Sequence, residues 1–308
     1  MVDLTHPPHV CFVTGTVYAV VDRETSYLID ALKKKGIKSS VDAWDNPEVD
    51  WGKYDLSINR TTSYYMVKPR DYIDWAYRAS KVTLLWNSAR ILEWNHHKRY
   101  LLELKEAGLP IPPTRLIPQN SDKPLSHHLQ GAGWSETLVK AAVTAGSFGM
   151  RRFREVTPDV EAHFRGLNRD GYVQVAPDGM EYKCPPCDTI VQEFQPEIET
   201  AGESSLIFFG GKYSHAVIKK PMGGDFRAHP MWGASMLKYN APMDERHVAE
   251  DALGVVGEPT DYARIDILRS RKGPLIIEVE LIEPMLFFDF FPETVNVFAD
   301  HIEKALRK

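Results

Sequence analysis

Arg264-Ile-Asp266-Ile-Leu-Arg-Ser-Arg-Lys-Gly273-Pro-Leu-Ile-Ile-Glu278-Val-Glu280-Leu-Ile-Glu283-Pro284 is the stretch on which the reading of this chain turns. Apolar residues alternate with charged ones on both sides of a basic, Gly-Pro-containing turn. That is the pattern of two β-strands joined by a short hairpin loop. Side chains on a strand repeat every second residue, so Arg264 and Asp266 share one face, as do Glu278 and Glu280 on the next strand. Pairing the strands brings three carboxylates and one guanidinium into a single patch. Acids held together repel unless a cation lies between them, and hard carboxylate oxygens suit Mg²⁺. The alternative is a solvated strand face without a role. Ile265, Ile267, Ile276, Ile277, Val279, Leu281 and Ile282 argue against it, because charge inside so apolar a sheet needs a partner.

The chain has 308 residues, enough for about two cores, and is 43% hydrophobic and 26% charged. A formal charge of −5 gives no general reason to expect nucleic acid or an anionic membrane as partner. The opening Met1-Val-Asp-Leu-Thr-His-Pro-Pro-His has neither a basic segment nor an apolar run, so no signal peptide is read. Glu278, Glu280, Glu283 and Asp289 interrupt the longest apolar run near the C-terminus, which speaks against a membrane span. Three cysteines cannot all pair, so a reducing compartment, the cytoplasm, is expected. Cys184-Pro-Pro-Cys187 has the spacing of half a zinc site, but no second pair stands at zinc-finger spacing, and structural or incidental cysteines are expected.

Working outward, the first segment reads as a small α/β unit. Strands are expected at residues 10–13, 40–44, 55–59 and 83–86, with helices at 24–35 and 69–80. Alternation of this kind points to a parallel sheet with ligands beyond the strand C-termini. Arg60, with Thr62, follows such a strand and is a candidate clamp for a substrate carboxylate; a plain surface arginine is the competing reading. A helix is expected over residues 92–107, stopped by Gly108 and followed by the linker Pro110-Ile-Pro-Pro113. Thr137-Leu-Val-Lys140-Ala is a strand running into Ala145-Gly146-Ser147-Phe-Gly149, a small-residue loop able to turn backbone N–H groups toward phosphate oxygens. Residues 189–194 form a strand, 203–209 and 213–218 a hairpin about Gly210-Gly211, and helices follow at 245–253 and 294–307. There is no G-x-x-x-x-G-K-[ST], no G-x-G-x-x-G after the first strand and no kinase catalytic loop, which disfavours Walker, Rossmann and protein-kinase sites.

The order Lys98, Lys140 with its loop, Gln192-Glu193-Phe194, Glu203, Lys219, Arg227, Arg264-x-Asp266 and Glu278-x-Glu280 resembles the ATP-grasp superfamily. The likeness runs from Leu92 to Asp289 and is strongest to the glutathione-synthetase-like and ribosomal-S6-modification-like ligases. Arg60-Thr-Thr-Ser-Tyr, Leu85-Trp-Asn and Trp94-Asn-x-x-Lys98-Arg-Tyr-Leu are similar to a subgroup that includes cycloserine synthetase. The resemblance implies an α/β (α+β) ATP-grasp fold: an N-terminal parallel α/β domain at 1–113, then two α+β subdomains, 114–194 and 195–308, clamping ATP. It also implies ATP and Mg²⁺ as cofactors, two ions in number, with Mn²⁺ as a possible substitute. Lys98 and Lys140 then hold the α- and β-phosphates, and Gly146, Ser147 and Gly149 cover them. Gln192, Glu193 and Phe194 form the adenine hinge, whose backbone carbonyl and N–H from consecutive residues read the base. Glu203 bonds the ribose, with Glu199 as a rival. Asp266, Glu278 and Glu280 are the metal ligands, and Arg264, Arg227 and Lys219 stand near the transferred phosphoryl group.

Many ligases of this superfamily carry Asn as the last metal ligand, where this chain has Glu280. The additional charge opposes anionic substrate groups, and Glu283 just beyond is suited to a cationic amine. The expected reaction is ATP-dependent activation of a carboxylate on an amino-acid-like molecule, followed by attack of an amine, between molecules or within one. A phosphotransferase and a catalytically silent nucleotide-binding module are the alternatives. The expected partner is a small molecule, not nucleic acid or membrane, and the chain is expected to be a monomer or homodimer.

Overall fold

A computed structural model describes residues 7–18, 21–175 and 179–307. The opening segment read for a leader, residues 1–6, lies outside the described residues. Four parallel strands form the first sheet, β1 (His9–Thr14), β2 (Lys38–Ala43), β3 (Leu56–Thr61) and β4 (Leu84–Trp86), in the order β2-β1-β3-β4. Alternation along β1 covers both faces of this sheet. Val10 and Phe12 pack with Leu28 and Leu32 of the helix Arg23–Lys34, whereas Cys11 and Val13 pack with Tyr72 and Trp75 of the helix Pro69–Ala79. The first helix starts where Asp22 accepts the Thr25 N–H at 2.7 Å.

The second sheet is antiparallel. It is built from β5 (Thr114–Ile117), β6 (Thr137–Ala141), β7 (Arg151–Phe153) and, after the separate hairpin β8 (Tyr172–Val175) and β9 (Glu181–Cys184), β10 (Thr189–Glu193), in the order β5-β10-β6-β7. The third sheet holds β11 (Glu203–Phe209), β12 (Lys212–Lys220), β13 (Ser235–Tyr239), β14 (Tyr262–Ser270) and β15 (Gly273–Glu280) in the order β13-β12-β11-β14-β15. The charged hairpin is β14–β15. Its register sets Arg264 opposite Glu280 and Asp266 opposite Glu278, with a shift after Asp266.

The last helix, Thr294–Leu306, returns to the start of the chain. Phe298 and Ile302 share one core with Leu28, Leu32, Trp86 and Phe209, so a single apolar layer joins the first and third sheets. Full burial of each such side chain contributes about 1.5–3 kcal/mol. Among the described residues, no helix is long and apolar enough to cross a membrane.

The helix expected over residues 92–107 is two helices, Ala89–Asn95 and Tyr100–Glu106. Between them the Lys98 N–H donates to the Ala142 carbonyl at 2.8 Å instead of to its own helix. The Asn95 side chain donates to Val279 O and accepts from Leu281 N–H, both at 2.8 Å, pinning the break to the end of β15. Cys11, Cys184 and Cys187 are unpaired.

Candidate active site

The break places Lys98 against the charged hairpin. Carboxylate oxygens of Asp266, Glu278 and Glu280 lie within 4.8 Å of one another, the one metal-ligating group found among the described residues. Oxygen-only donors at this spacing fit a hard divalent cation such as Mg²⁺. Cationic side chains interleave with the acids. Arg264 grips Asp266 with two bonds of 2.9 Å and reaches Glu280 at 2.5 Å. Lys98 is ion-paired with Glu278, and Lys219 lies between Glu203 and Asp266, 3.3 Å from the latter. Ser205 donates to Asp266 at 2.6 Å.

Burial and charge oppose each other here. Burial disfavours ionised Asp266, but the Arg264 and Lys219 charges outweigh it and hold the carboxyl well below its usual range. For Glu280 burial wins over Arg264, raising it to about 7, and Glu203 is likewise pushed up to about 7 by burial against Lys219. Burial lowers Lys140 to about 8, helped by the Lys98 charge. Gly202 sets the approach of β11 to β12: with φ at +81°, a Cβ there would lie 2.4 Å from the Lys219 carbonyl. Only glycine lets Glu203 stand opposite Lys219 in the register.

Two cavities meet at this cluster. One of about 290 Å³ is lined by Arg60, Tyr65, Asn95, Lys98, Tyr182 and Glu283 among others. The second, about 90 Å³, is lined by Lys140, Gln192, Glu193, Phe194, Glu203, Lys219 and Arg227 among others. Gly146, His229, Arg264, Glu278 and Glu280 line both, so two of the three clustered acids stand in their common wall.

Several sequence-predicted residues stand apart from this arrangement. Glu199 is exposed, paired with Arg152 at 2.5 Å, and lines neither cavity, whereas its rival Glu203 lines the smaller one. Gly149 lies behind the loop, where its N–H donates to Gln174 at 3.0 Å and a Cβ would come 3.0 Å from the Tyr172 ring. Thr62 is fully buried and faces neither cavity. Arg60 is inside β3, not beyond it, and is not a surface arginine; it lines the larger cavity from a buried position. It is 4% exposed, ion-paired with Glu24 at 2.8 Å and donating to the Pro284 carbonyl at 3.0 Å. The hinge also differs from expectation. The Glu193 N–H donates to Pro113 O at 2.9 Å and the Phe194 N–H to Glu136 O at 3.0 Å, so the residues leading into the flanking strands β5 and β6 take up both donors. Gln195, the next residue, lines the smaller cavity.

Tyr65, Asn95, Tyr182 and His229 were not singled out by the sequence. Asn95 stands inside a stretch that resembles the ligases and Tyr65 directly follows another, a signal that was available; His229 carries none.

The carboxylate hairpin, with lysines on a facing strand and at the helix break, sits in the ATP-grasp fold, and the chain is similar to carboxylate–amine ligases of that fold. Its particular likeness is to cycloserine synthetase. Residues 10–87 match the family described as the N-terminal domain of the D-cycloserine synthetase DcsG. Over 307 residues the chain is 26% identical to the cycloserine biosynthesis protein DcsG of Streptomyces lavendulae, covering 96% of this chain and 98% of that protein. The crystal structure of D-cycloserine synthetase DcsG superposes with a TM-score of 0.83 at 26% identity, over 97% of this chain and 99% of that one. A RimK domain ATP-grasp protein from Sphaerobacter thermophilus shares the fold, with a TM-score of 0.66 at 14% identity, over 96% and 99% of the two chains.

Proposed function

We propose that the chain binds ATP in the smaller cavity and an amino-acid-like substrate in the larger, and forms an acyl-phosphate across the wall between them. The observation that carries this reading is the shared wall: Arg264, Glu278 and Glu280 face both cavities, and Lys98 faces the larger. A carboxylate resists nucleophiles because of its charge. Phosphorylation converts it into an acyl group with a good leaving group, which an amine displaces to form an amide and inorganic phosphate. Bound at Asp266, Glu278 and Glu280, Mg²⁺ would neutralise charge on the phosphate oxygens; two ions are the number expected.

The protein's own groups do the rest by position. Lys140 holds phosphate from the adenine side, and Lys98 exchanges Glu278 for a phosphate oxygen. Arg264 and Arg227 face the transferred group, and Lys219 keeps Asp266 ionised. Adenine packs by the Glu193–Phe194 edge, where the donor passes to the Gln195 N–H. Residues 145–149 exclude water from the acyl-phosphate. Glu283 receives the substrate amine. Arg60 contributes indirectly, by fixing the segment after Glu283. The units 1–113 and 195–308 carry one sheet each and 114–194 a sheet and a separate hairpin, and a reaction fed by ATP suits the cytoplasm.

Incubating the purified chain with ATP, Mg²⁺ and a panel of amino acids and O-substituted serines tests this. ADP and phosphate must appear only with a substrate, and mass spectrometry of the product separates ring closure from joining of two molecules. ATP binding without substrate-dependent ADP release across such a panel would sink the reading.

A further inference from the structure

Residues 221–234 link β12 to β13 and include Arg227 and the single turn Pro230–Trp232. The Trp232 indole N–H donates to the Gly146 carbonyl at 3.0 Å. The same indole carries the Arg227 guanidinium on its face, 3.4 Å from a ring centroid. Asp225 holds the edge of that guanidinium, with bonds of 2.9 Å to Nε and 2.5 Å to a terminal nitrogen. Phe148 meets Trp232 edge-on at 6.3 Å and Tyr182 at 5.2 Å. One side chain therefore joins two segments that come from different sheets. One is the phosphate-covering loop between β6 and β7; the other carries the arginine that faces the transferred group.

The join is sensitive to backbone state. Gly146 and Ser147 both have φ near +60°, so small rotations at these residues re-aim the Gly146 carbonyl. When that carbonyl moves, the indole either follows it, drawing Arg227 along, or loses its one N–H partner. Gly233, with φ at +84°, closes the turn that lets the indole reach back.

We propose that Trp232 is a positioning residue that couples closure of the 145–149 loop to the placement of Arg227, so that an acyl-phosphate forms only under a closed cover. This rests on the ligase reading given above. Trp232 is half-buried at the margin of a core, so substitution there is compatible with folding. The test is hydrogen–deuterium exchange with and without ADP·Mg²⁺ on the parent chain, Trp232→Phe and Trp232→His. Phenylalanine keeps a ring beneath Arg227 and removes the N–H; histidine keeps both a ring and an N–H.

In the parent, ADP·Mg²⁺ slows exchange in both 145–149 and 225–234. In Trp232→Phe protection persists at 145–149 and is lost at 225–234, with ADP affinity lowered about three- to tenfold, the size of one lost hydrogen bond. Trp232→His restores the joint response. Joint protection in Trp232→Phe equal to the parent, or identical behaviour of the Phe and His variants, overturns the coupling. A parent chain that shows no nucleotide protection at either segment overturns the ligase reading, and the coupling with it.

Discussion

Lys98 and Glu278 form an ion pair at the wall between the two cavities. The pair shows how the site balances its charge without ligands. Asp266, Glu278, Glu280 and Glu203 are met by Lys98, Lys140, Lys219 and Arg264, four ionisable groups of each sign, with burial raising Glu203 and Glu280 to about 7. Mg²⁺ alone would add charge to a balanced set and compete with Lys98 and Arg264 for their acids. A nucleotide polyphosphate alone would meet the acids. Together the two ligands exchange partners: the metal takes the carboxylates and the lysines take the phosphates. Calorimetry should therefore show weak binding of Mg²⁺ and of ADP separately, and ADP affinity raised about 5–150-fold by Mg²⁺. Equal ADP affinity with and without the ion would contradict this exchange.

The hairpin was legible because its information is local. Alternation over Arg264–Glu280 fixes which side chains share a face, and the pairing then follows from one short turn. Lys98 was legible as a residue but not as a place. Leu92 and Tyr100, eight apart, and Tyr100 and Leu104, four apart, keep helical spacing straight through the break, and the bond that makes the break comes from Ala142, just past β6. The partners of Arg60 were hidden for a similar reason. That residue precedes a Thr-Thr-Ser run that reads as a loop, while its partners Glu24 and Pro284 lie 36 and 224 residues away. That the Glu193 and Phe194 N–H groups are taken up by Pro113 and Glu136 leaves no trace in the sequence.

Glu278→Gln tests the cluster itself. Glutamine preserves shape and an acceptor for Lys98 but removes the charge that a divalent cation needs. Substrate-dependent ADP release should fall by about 10²–10³-fold, the loss typical of one removed electrostatic contact at a reacting centre. Because Gln still bonds Lys98, unfolding in urea should change by no more than about 1–3 kcal/mol. Activity within twofold of the parent would remove Glu278 from the metal site.

Lys140 gives the site a pH dependence. Burial brings its ammonium down to about 8 in the free chain, and bound phosphate favours the charged form, so its pKa rises on nucleotide binding. Below pH 8 the charge is already present and affinity is flat. Above pH 8 a proton must be taken up with the nucleotide, and affinity falls by up to about tenfold per pH unit. Calorimetry at pH 9 in buffers of different ionisation enthalpy should show uptake approaching about one proton. Lys140→Arg, which keeps its charge, should lose that uptake while still binding nucleotide.

Arg60 is where a structural and a substrate-binding role give opposite results. Its side chain is 2% exposed, and its partner Glu24 also accepts the Leu286 and Phe288 N–H groups. Removing the arginine strands a carboxylate whose burial already pushes its pKa up against the pull of Arg60. Arg60→Ala should cost about 3–5 kcal/mol of stability, as expected for breaking one side of a buried pair. Arg60→Ala combined with Glu24→Gln should recover part of that loss, because the glutamine leaves no buried charge unpaired. A substrate clamp predicts the reverse: unchanged unfolding in Arg60→Ala, a raised KM, and no recovery in the double variant. Urea unfolding of the three proteins decides between them.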